Sequence, residues 1–199
     1  MQKIILASSS PRRRQILENL GIPFEVINSK VDETLDVDNS PYEWVKTLSS
    51  KKANAVLDKV NGPAVIIGVD TVVADLGRIL NKPDSKETAI KMLRQLQGRH
   101  HSVYTGMTLL FVDENGNIEE ENFVDGTEVT FNKMTMEEIE MYVSTNEFSD
   151  KAGGYGIQGK ASIFIDTIAG NYDTVVGLSV PILYNALKAH GIQLMNFWK

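Results

Sequence analysis

Residues 64–74 read Ala64-Val65-Ile66-Ile67-Gly68-Val69-Asp70-Thr71-Val72-Val73-Ala74. The apolar run up to Val69 does not alternate with polar residues, the pattern of a strand buried on both faces. Asp70 therefore stands at the carboxyl end of a central strand, the edge at which open α/β sheets bind ligands. A carboxylate there can hold a hard cation such as Mg²⁺ or accept a proton from water. It can also simply cap a turn with Thr71, although the continuing Val72-Val73-Ala74 weakens that reading.

Outward from this strand, helices and strands alternate. Lys3–Ser8 is a second short apolar strand. Ser10 and Pro11 predict a helix start, Ile16, Leu17 and Leu20 its apolar stripe, and Gly21 its stop. Phe24–Asn28 alternates as a strand, and residues 34–40 are loop-like. Asn39-Ser40-Pro41 opens a helix running to about Lys59, with Trp44, Val45, Leu48 and Val56 on one face. Asp75–Gly77 is a tight turn before Arg78-Ile79-Leu80, and a third helix spans Ser85–Gln97. Val103–Val112 and Glu119–Phe131 form a long hairpin around Asp113–Gly116. Thr135 with Glu138 makes a capping box for a helix ending near Val143. A glycine-rich stretch, Gly153–Gly159, precedes a β-rich run, Ala161–Ile168, and a last helix covers Val180–His190. This order predicts an α/β (mixed α+β) protein with a mixed central sheet and flanking helices. No linker divides it, so residues 1–199 are read as one domain.

Composition narrows the chemistry. The absence of cysteine excludes disulfides, thiolate catalysis and Cys-ligated zinc. No stretch approaches the ~20 apolar residues of a membrane helix, and the amino-terminal apolar core is too short for a signal peptide. The expected setting is cytoplasmic, without a membrane. A net charge of −6 argues against indiscriminate nucleic-acid coating.

Two textual motifs are decoys. Gly154-Tyr155-Gly156-Ile157-Gln158-Gly159 matches G-x-G-x-x-G, and Gly154 to Lys160 matches most of a P-loop. Both motifs need a strand before and a helix after. A β-rich run follows instead, and Ala161 replaces the P-loop's Mg²⁺-holding hydroxyl. His100 and His101 are adjacent on a strand and point to opposite faces, so they cannot chelate together. His190 falls at a helix C-terminus, where an imidazolium suits the dipole.

The strongest local signal is Ser8-Ser9-Ser10-Pro11-Arg12-Arg13-Arg14, between a buried strand and a helix. Helix-terminal N–H groups, serine hydroxyls and forked guanidinium donors together suit a phosphate. A capped helix with solvated arginines is the plain alternative, but three arginines at one helix start in an acidic protein favour the anion site. Glu33 is a further candidate metal ligand. Lys52, Lys82 and the Asp150-Lys151 pair read as surface charges unless the fold gathers them around one site.

Taken together, Leu6-Ala7-Ser8-Ser9-Ser10-Pro11-Arg12-Arg13, Gly68-Val69-Asp70-Thr71, Lys82-Pro83 and residues 150–159 resemble, in order and spacing, the Maf family of nucleoside triphosphate pyrophosphatases, once described as septum-formation inhibitors. The likeness covers essentially the whole chain. It implies a mixed sheet in two lobes around a cleft, similar to inosine triphosphate pyrophosphatases, with a homodimer and Mg²⁺ or Mn²⁺ as cofactor. It implies that Asp70 is the proton acceptor. Ser8, Arg12, Arg13, Glu33, Lys52 and Lys82 match phosphate- and metal-binding positions, with Glu33 and Asp70 on the metal. The late motif is similar to the dTTP/UTP branch, in which Arg12, Thr71 and Gln158 match positions linked to substrate choice. Gln158 is expected to be a buried amide facing the pyrimidine. Gly154 stands where the branch usually has alanine, a change expected to loosen the turn, and Ser179 replaces a common proline. The implied reaction is hydrolysis of dTTP or UTP to the monophosphate and pyrophosphate by in-line water attack on the α-phosphorus. The alternative is a nucleotide-binding regulator of septum formation without turnover.

Overall fold

The computed structural model describes residues 2–35 and 40–198. In chain order its elements are β1 (Lys3–Leu6), α1 (Pro11–Asn19), β2 (Glu25–Val26), α2 (Pro41–Asn54), β3 (Ala64–Asp75), β4 (Arg78–Leu80) and α3 (Lys86–Leu96). These are followed by β5 (His100–Val112), β6 (Ile118–Phe131), α4 (Met136–Ser144), β7 (Ile165–Ala169), α5 (Tyr172–Val176) and α6 (Val180–Ala189). The seven strands form one mixed sheet in the order β2-β1-β3-β5-β6-β7, with β4 paired to β3. β1 runs parallel to both β2 and β3, whereas β4 and β7 are antiparallel to their neighbours. The expected mixed-sheet α/β class is therefore observed.

The chain divides into two compact units. The first comprises residues up to Asp70, 105–125 and from Gly177 onward; the second comprises 71–104 and 126–176.

In the first unit, Ile5, Ala7, Ala53, Val56, Ala64, Ile66, Leu110 and Val112 make one core cluster. Ser40 caps α2 by accepting the Glu43 N–H at 3.2 Å, and Pro41 suits the first turn. Asn39, expected at this helix start, lies outside the described residues. The helix stops at Asn54, short of the expected Lys59, because Val56 turns fully into the core and a separate 3₁₀ turn, Leu57–Lys59, carries the chain onward. His190 ends α6 as expected. Its ring stacks on Phe111 with centroids 3.5 Å apart, and its two nitrogens face Glu119 at 4.0 Å and Glu121 at 3.2 Å.

In the second unit, α3 and α4 supply Leu93, Leu96, Ile139 and Tyr142 to a core with Phe131, Phe148, Tyr155 and Phe164. The capping box at Thr135 and Glu138 is present. Leu76 and Gly77 both have positive φ, as a two-residue β3–β4 hairpin turn requires. Residues 161–164, expected to begin a strand, instead lie in a 3₁₀ turn, Lys160–Phe164, before β7. The cause is local: Ser162 N–H turns back to Gly159 O at 3.1 Å, which diverts that donor from any ladder. No strand precedes the glycines either, so neither nucleotide-loop motif has its required frame. The five-residue α5 went unanticipated because it is too short to show a helical period.

His101 is buried at 2% exposure, with Nε2 2.7 Å from the Tyr155 hydroxyl and its ring edge-on to Phe131 and Tyr155. Adjacent His100 is exposed, as alternation demands. Burial depresses the His101 pKa to about 4 against the pull of Asp75, with His100 adding to the depression. The unfolded chain takes a proton near the ordinary value of 6.5, while the folded chain resists until about 4. Stability contributed at neutral pH is therefore lost as pH falls through that window, by up to about 3 kcal/mol. Urea unfolding at pH 7 and 4.5 should show a fall in stability that is smaller by about 2 kcal/mol in His101→Gln. Equal falls in the two proteins would contradict a neutral, buried His101.

Candidate active site

The site begins where β1 ends. Ala7 N–H still donates to Ile67 O at 2.9 Å, after which Ser8 starts the turn into α1. Pro11 occupies the first turn of α1, and Ser10 is its N-cap by backbone position. The Ser10 side chain makes no capping hydrogen bond, contrary to the expected cap; its N–H instead donates to Ser8 Oγ at 3.3 Å. The same Ser8 oxygen accepts Arg13 Nη1 at 3.0 Å, and Arg13 Nε donates to Gly177 O at 2.8 Å. Gly177 sits at φ +125°, a region that favours glycine, so its carbonyl can face the guanidinium. Arg13 is buried and Arg12 half-buried, while Arg14 is exposed. Burial lowers the Arg13 pKa, Asp70 and Glu33 raise it, and Arg12 lowers it further. A guanidinium remains charged under such pressure. The result is a fixed cation whose field is shared with two carboxylates.

Those carboxylates meet at one ammonium. Lys52 Nζ lies 2.6 Å from Asp70 Oδ1 and 2.7 Å from Glu33 Oε1. The Lys52 and Asp70 side chains are each 9% exposed, whereas Glu33 is 53% exposed. Burial raises the Asp70 pKa, and the Lys52 and Arg13 charges oppose the rise.

Glycine makes this reach possible. A Cβ on Gly68 would stand 2.6 Å from Ala53 N and 2.7 Å from Ala53 Cβ, and would collide with Ser49 O. One on Gly106 would stand 3.0 Å from Lys46 N and collide with Val45 O. Two bare strand positions therefore let the α2 backbone settle against β3 and β5. Lys52 precedes Ala53 on that helix, and Asp70 is two residues past Gly68 on the same strand face.

Ser8, Arg13, Glu33, Lys52 and Asp70 are thus brought together, with Arg12 acting on Arg13 through its charge. Thr71, Lys82 and Gln158 belong to the second unit. There the Lys82 loop meets the glycine-rich turn: Gly153 N–H donates to Asn81 O at 3.2 Å, and a Cβ on Gly154 would lie 3.6 Å from Pro83 Cγ. Gly154 has φ +75°, so glycine relieves strain at this position and the expected loosening is corrected. Gln158 is exposed rather than buried, because the turn carries it outward between buried Ile157 and half-buried Gly159. Lys82 is exposed beside buried Pro83. The Gly177 carbonyl is a site component that sequence reasoning missed, and a glycine shortly before the last helix was its only signal. Ser179, the other departure from the family pattern, donates its hydroxyl to Asp125 Oδ2 at 2.8 Å.

The donor chemistry suits a hard divalent cation. Glu33 and Asp70 supply the carboxylate oxygens that Mg²⁺ takes alongside substrate phosphates, and Lys52 now bonds one oxygen of each.

Residues 3–190 match the family described as Maf-like protein. The chain belongs to the Maf family. Among relatives, this Maf chain is 46% identical over 196 residues to the dTTP/UTP pyrophosphatase of Bacillus anthracis, covering 98% of this chain and 100% of the relative. It is 45% identical, with the same coverage, to the dTTP/UTP pyrophosphatase of Bacillus cereus. Among solved structures it is similar to the Ham1 protein of Staphylococcus aureus, with a TM-score of 0.48, 13% identity and coverage of 95% of this chain and 100% of that one. The nucleoside-triphosphatase, dITP/XTP pyrophosphatase of Mycobacterium abscessus gives a TM-score of 0.44, with 15% identity and coverage of 96% and 94%.

Removing one partner of a buried ion pair leaves the other charge without compensation. Lys52→Met should lower the free energy of unfolding by about 3 kcal/mol in urea. Adding Asp70→Asn should recover most of that loss. Wild-type stability in the single variant would contradict a coupled buried pair.

Proposed function

We propose that this Maf protein is a nucleoside triphosphate pyrophosphatase that hydrolyses dTTP and UTP to the nucleoside monophosphate and pyrophosphate. The observation that carries the reading is the joining of Asp70 and Glu33 through Lys52, beside an Arg13 clamped by Ser8 and Gly177. The names of the near relatives supply the substrate class.

In this reading Asp70 orients the attacking water and takes its proton as the water closes on the α-phosphorus. Burial makes the carboxylate a stronger base than an exposed aspartate, and the Lys52 and Arg13 charges work against that rise. Arg12 and Arg13 neutralise negative charge on the phosphate chain, which grows on the leaving pyrophosphate. Glu33 would hold Mg²⁺ or Mn²⁺, and Asp70 would join it as a ligand in the alternative in which Asp70 is not the proton acceptor. When bound, such a cation polarises phosphate oxygens and offsets their charge. Lys82 serves the phosphate chain, and Thr71 and Gln158 meet the nucleoside. The enzyme acts as a cytoplasmic homodimer on free nucleotides. Among the described residues, no helix is long and apolar enough to cross a membrane.

The test is turnover of a nucleotide panel with Mg²⁺ in ¹⁸O-water, with phosphorus products resolved by NMR and mass spectrometry. The expected result is pyrophosphate plus ¹⁸O-labelled monophosphate from dTTP and UTP. Asp70→Asn should lower kcat by at least about 10²-fold. Orthophosphate as the product, or stoichiometric binding without turnover, would overturn the proposal.

A further inference from the structure

Gln158 is exposed at the tip of a turn, and an exposed amide discriminates between bases only if its backbone is held still. The turn is pinned on both sides of it. Three residues before Gln158, the Tyr155 ring is fully inside the second unit's core, and its hydroxyl lies 2.7 Å from His101 Nε2. Phe131 packs edge-on to the same ring at 4.8 Å. Two residues after Gln158, the Lys160 N–H donates to both Glu147 oxygens, at 2.9 and 3.1 Å. The Lys160 ammonium lies 3.5 Å from the same carboxylate, and the Glu147 side chain is only 17% exposed.

Glu147 also fixes the entry to the turn, since its backbone carbonyl accepts Lys151 Nζ at 2.6 Å. Gly159 carries the imprint of this arrangement. Its backbone is extended, which any residue can adopt, yet a Cβ there would run into the Glu147 carboxylate. Glycine at 159 leaves the room in which the Glu147 carboxylate sits against the turn, a place that a Cβ would make it give up. The charge-assisted bond to Lys160 N–H is of the stronger kind.

We propose that Glu147 and Tyr155 are positioning residues that hold Gln158 in register and thereby set the discrimination between nucleobases. This rests on the reading that Gln158 meets the base. Neither residue touches the nucleotide; each acts through the turn.

The experiment compares wild type, Glu147→Ala, Glu147→Gln, Tyr155→Phe and Gln158→Ala. KM and kcat are measured for dTTP, UTP and ATP, together with inhibition by inorganic tripolyphosphate, which reports the phosphate end alone. Glu147→Ala and Tyr155→Phe should raise KM for dTTP and UTP by about tenfold, with kcat within about twofold. Their preference over ATP should relax in the same direction as in Gln158→Ala, and tripolyphosphate inhibition should be unchanged. Glu147→Gln keeps an oxygen for the Lys160 N–H and should recover most of the lost preference. If Glu147→Ala does not fold, Glu147→Gln and Tyr155→Phe decide. Relaxed preference in Gln158→Ala with wild-type preference in the positioning variants overturns the proposal and leaves the pyrophosphatase reading intact. A parallel loss of kcat and tripolyphosphate binding also overturns it, because that marks general structural damage. Unchanged preference in Gln158→Ala removes the Gln158 reading itself.

Discussion

A helix backbone resting on two bare strand positions is the constraint on which the rest of the site depends. At Gly68 and Gly106 no side chain separates α2 from the strands beneath it. Lys52 can then place its ammonium 2.6 Å from Asp70. Two charges this deeply buried cost several kcal/mol each in lost hydration, so the pair persists only while the geometry stays tight. A methyl group at Gly68 would push the helix outward and open the very contact that offsets that cost. Packing and electrostatics are therefore one requirement here, met at the same residues.

The second consequence is a division of charge suited to polyphosphate chemistry. Arg13 has one nitrogen on Ser8 and one on Gly177, so its position is set before any ligand arrives. Groups already oriented toward developing charge need no reorganisation during the reaction, which is the source of most of their effect. Burial raises the Asp70 pKa, and the Lys52 and Arg13 charges beside it oppose that rise. The protein as a whole is acidic, so this local cationic field is built from a few placed residues and not from net charge.

Much of this was legible in the chain. Non-alternating apolar runs marked β1 and β3, and Ser40-Pro41 and Thr135 to Glu138 marked helix starts through their capping chemistry. The apolar run leading to Asp70 made it a candidate, but the expected place at the strand's carboxyl end is corrected: β3 continues to Asp75, and Asp70 lies inside it. Spacing alone could not show that Lys52 and Glu33 meet it, because ion pairs between distant segments leave no period in a sequence. The 3₁₀ turn at 160–164 misled for another reason: Ile163 and Phe164 suit a strand, but Ser162 N–H turns back to Gly159 O within the turn itself. The outward placement of Gln158 and the strain relief at Gly154 likewise follow from backbone angles and packing that composition does not record.

The most direct measurement of the central claim is the steady-state kinetics and unfolding free energy of Gly68→Ala, a change that adds one methyl group and touches no ionisable residue. The account predicts a stability loss of about 1–3 kcal/mol and a fall in dTTP turnover of at least about tenfold, as α2 is displaced and Lys52 leaves Asp70. Wild-type turnover in a Gly68→Ala protein of wild-type stability would contradict the dependence of the Lys52–Asp70 pair on that close approach.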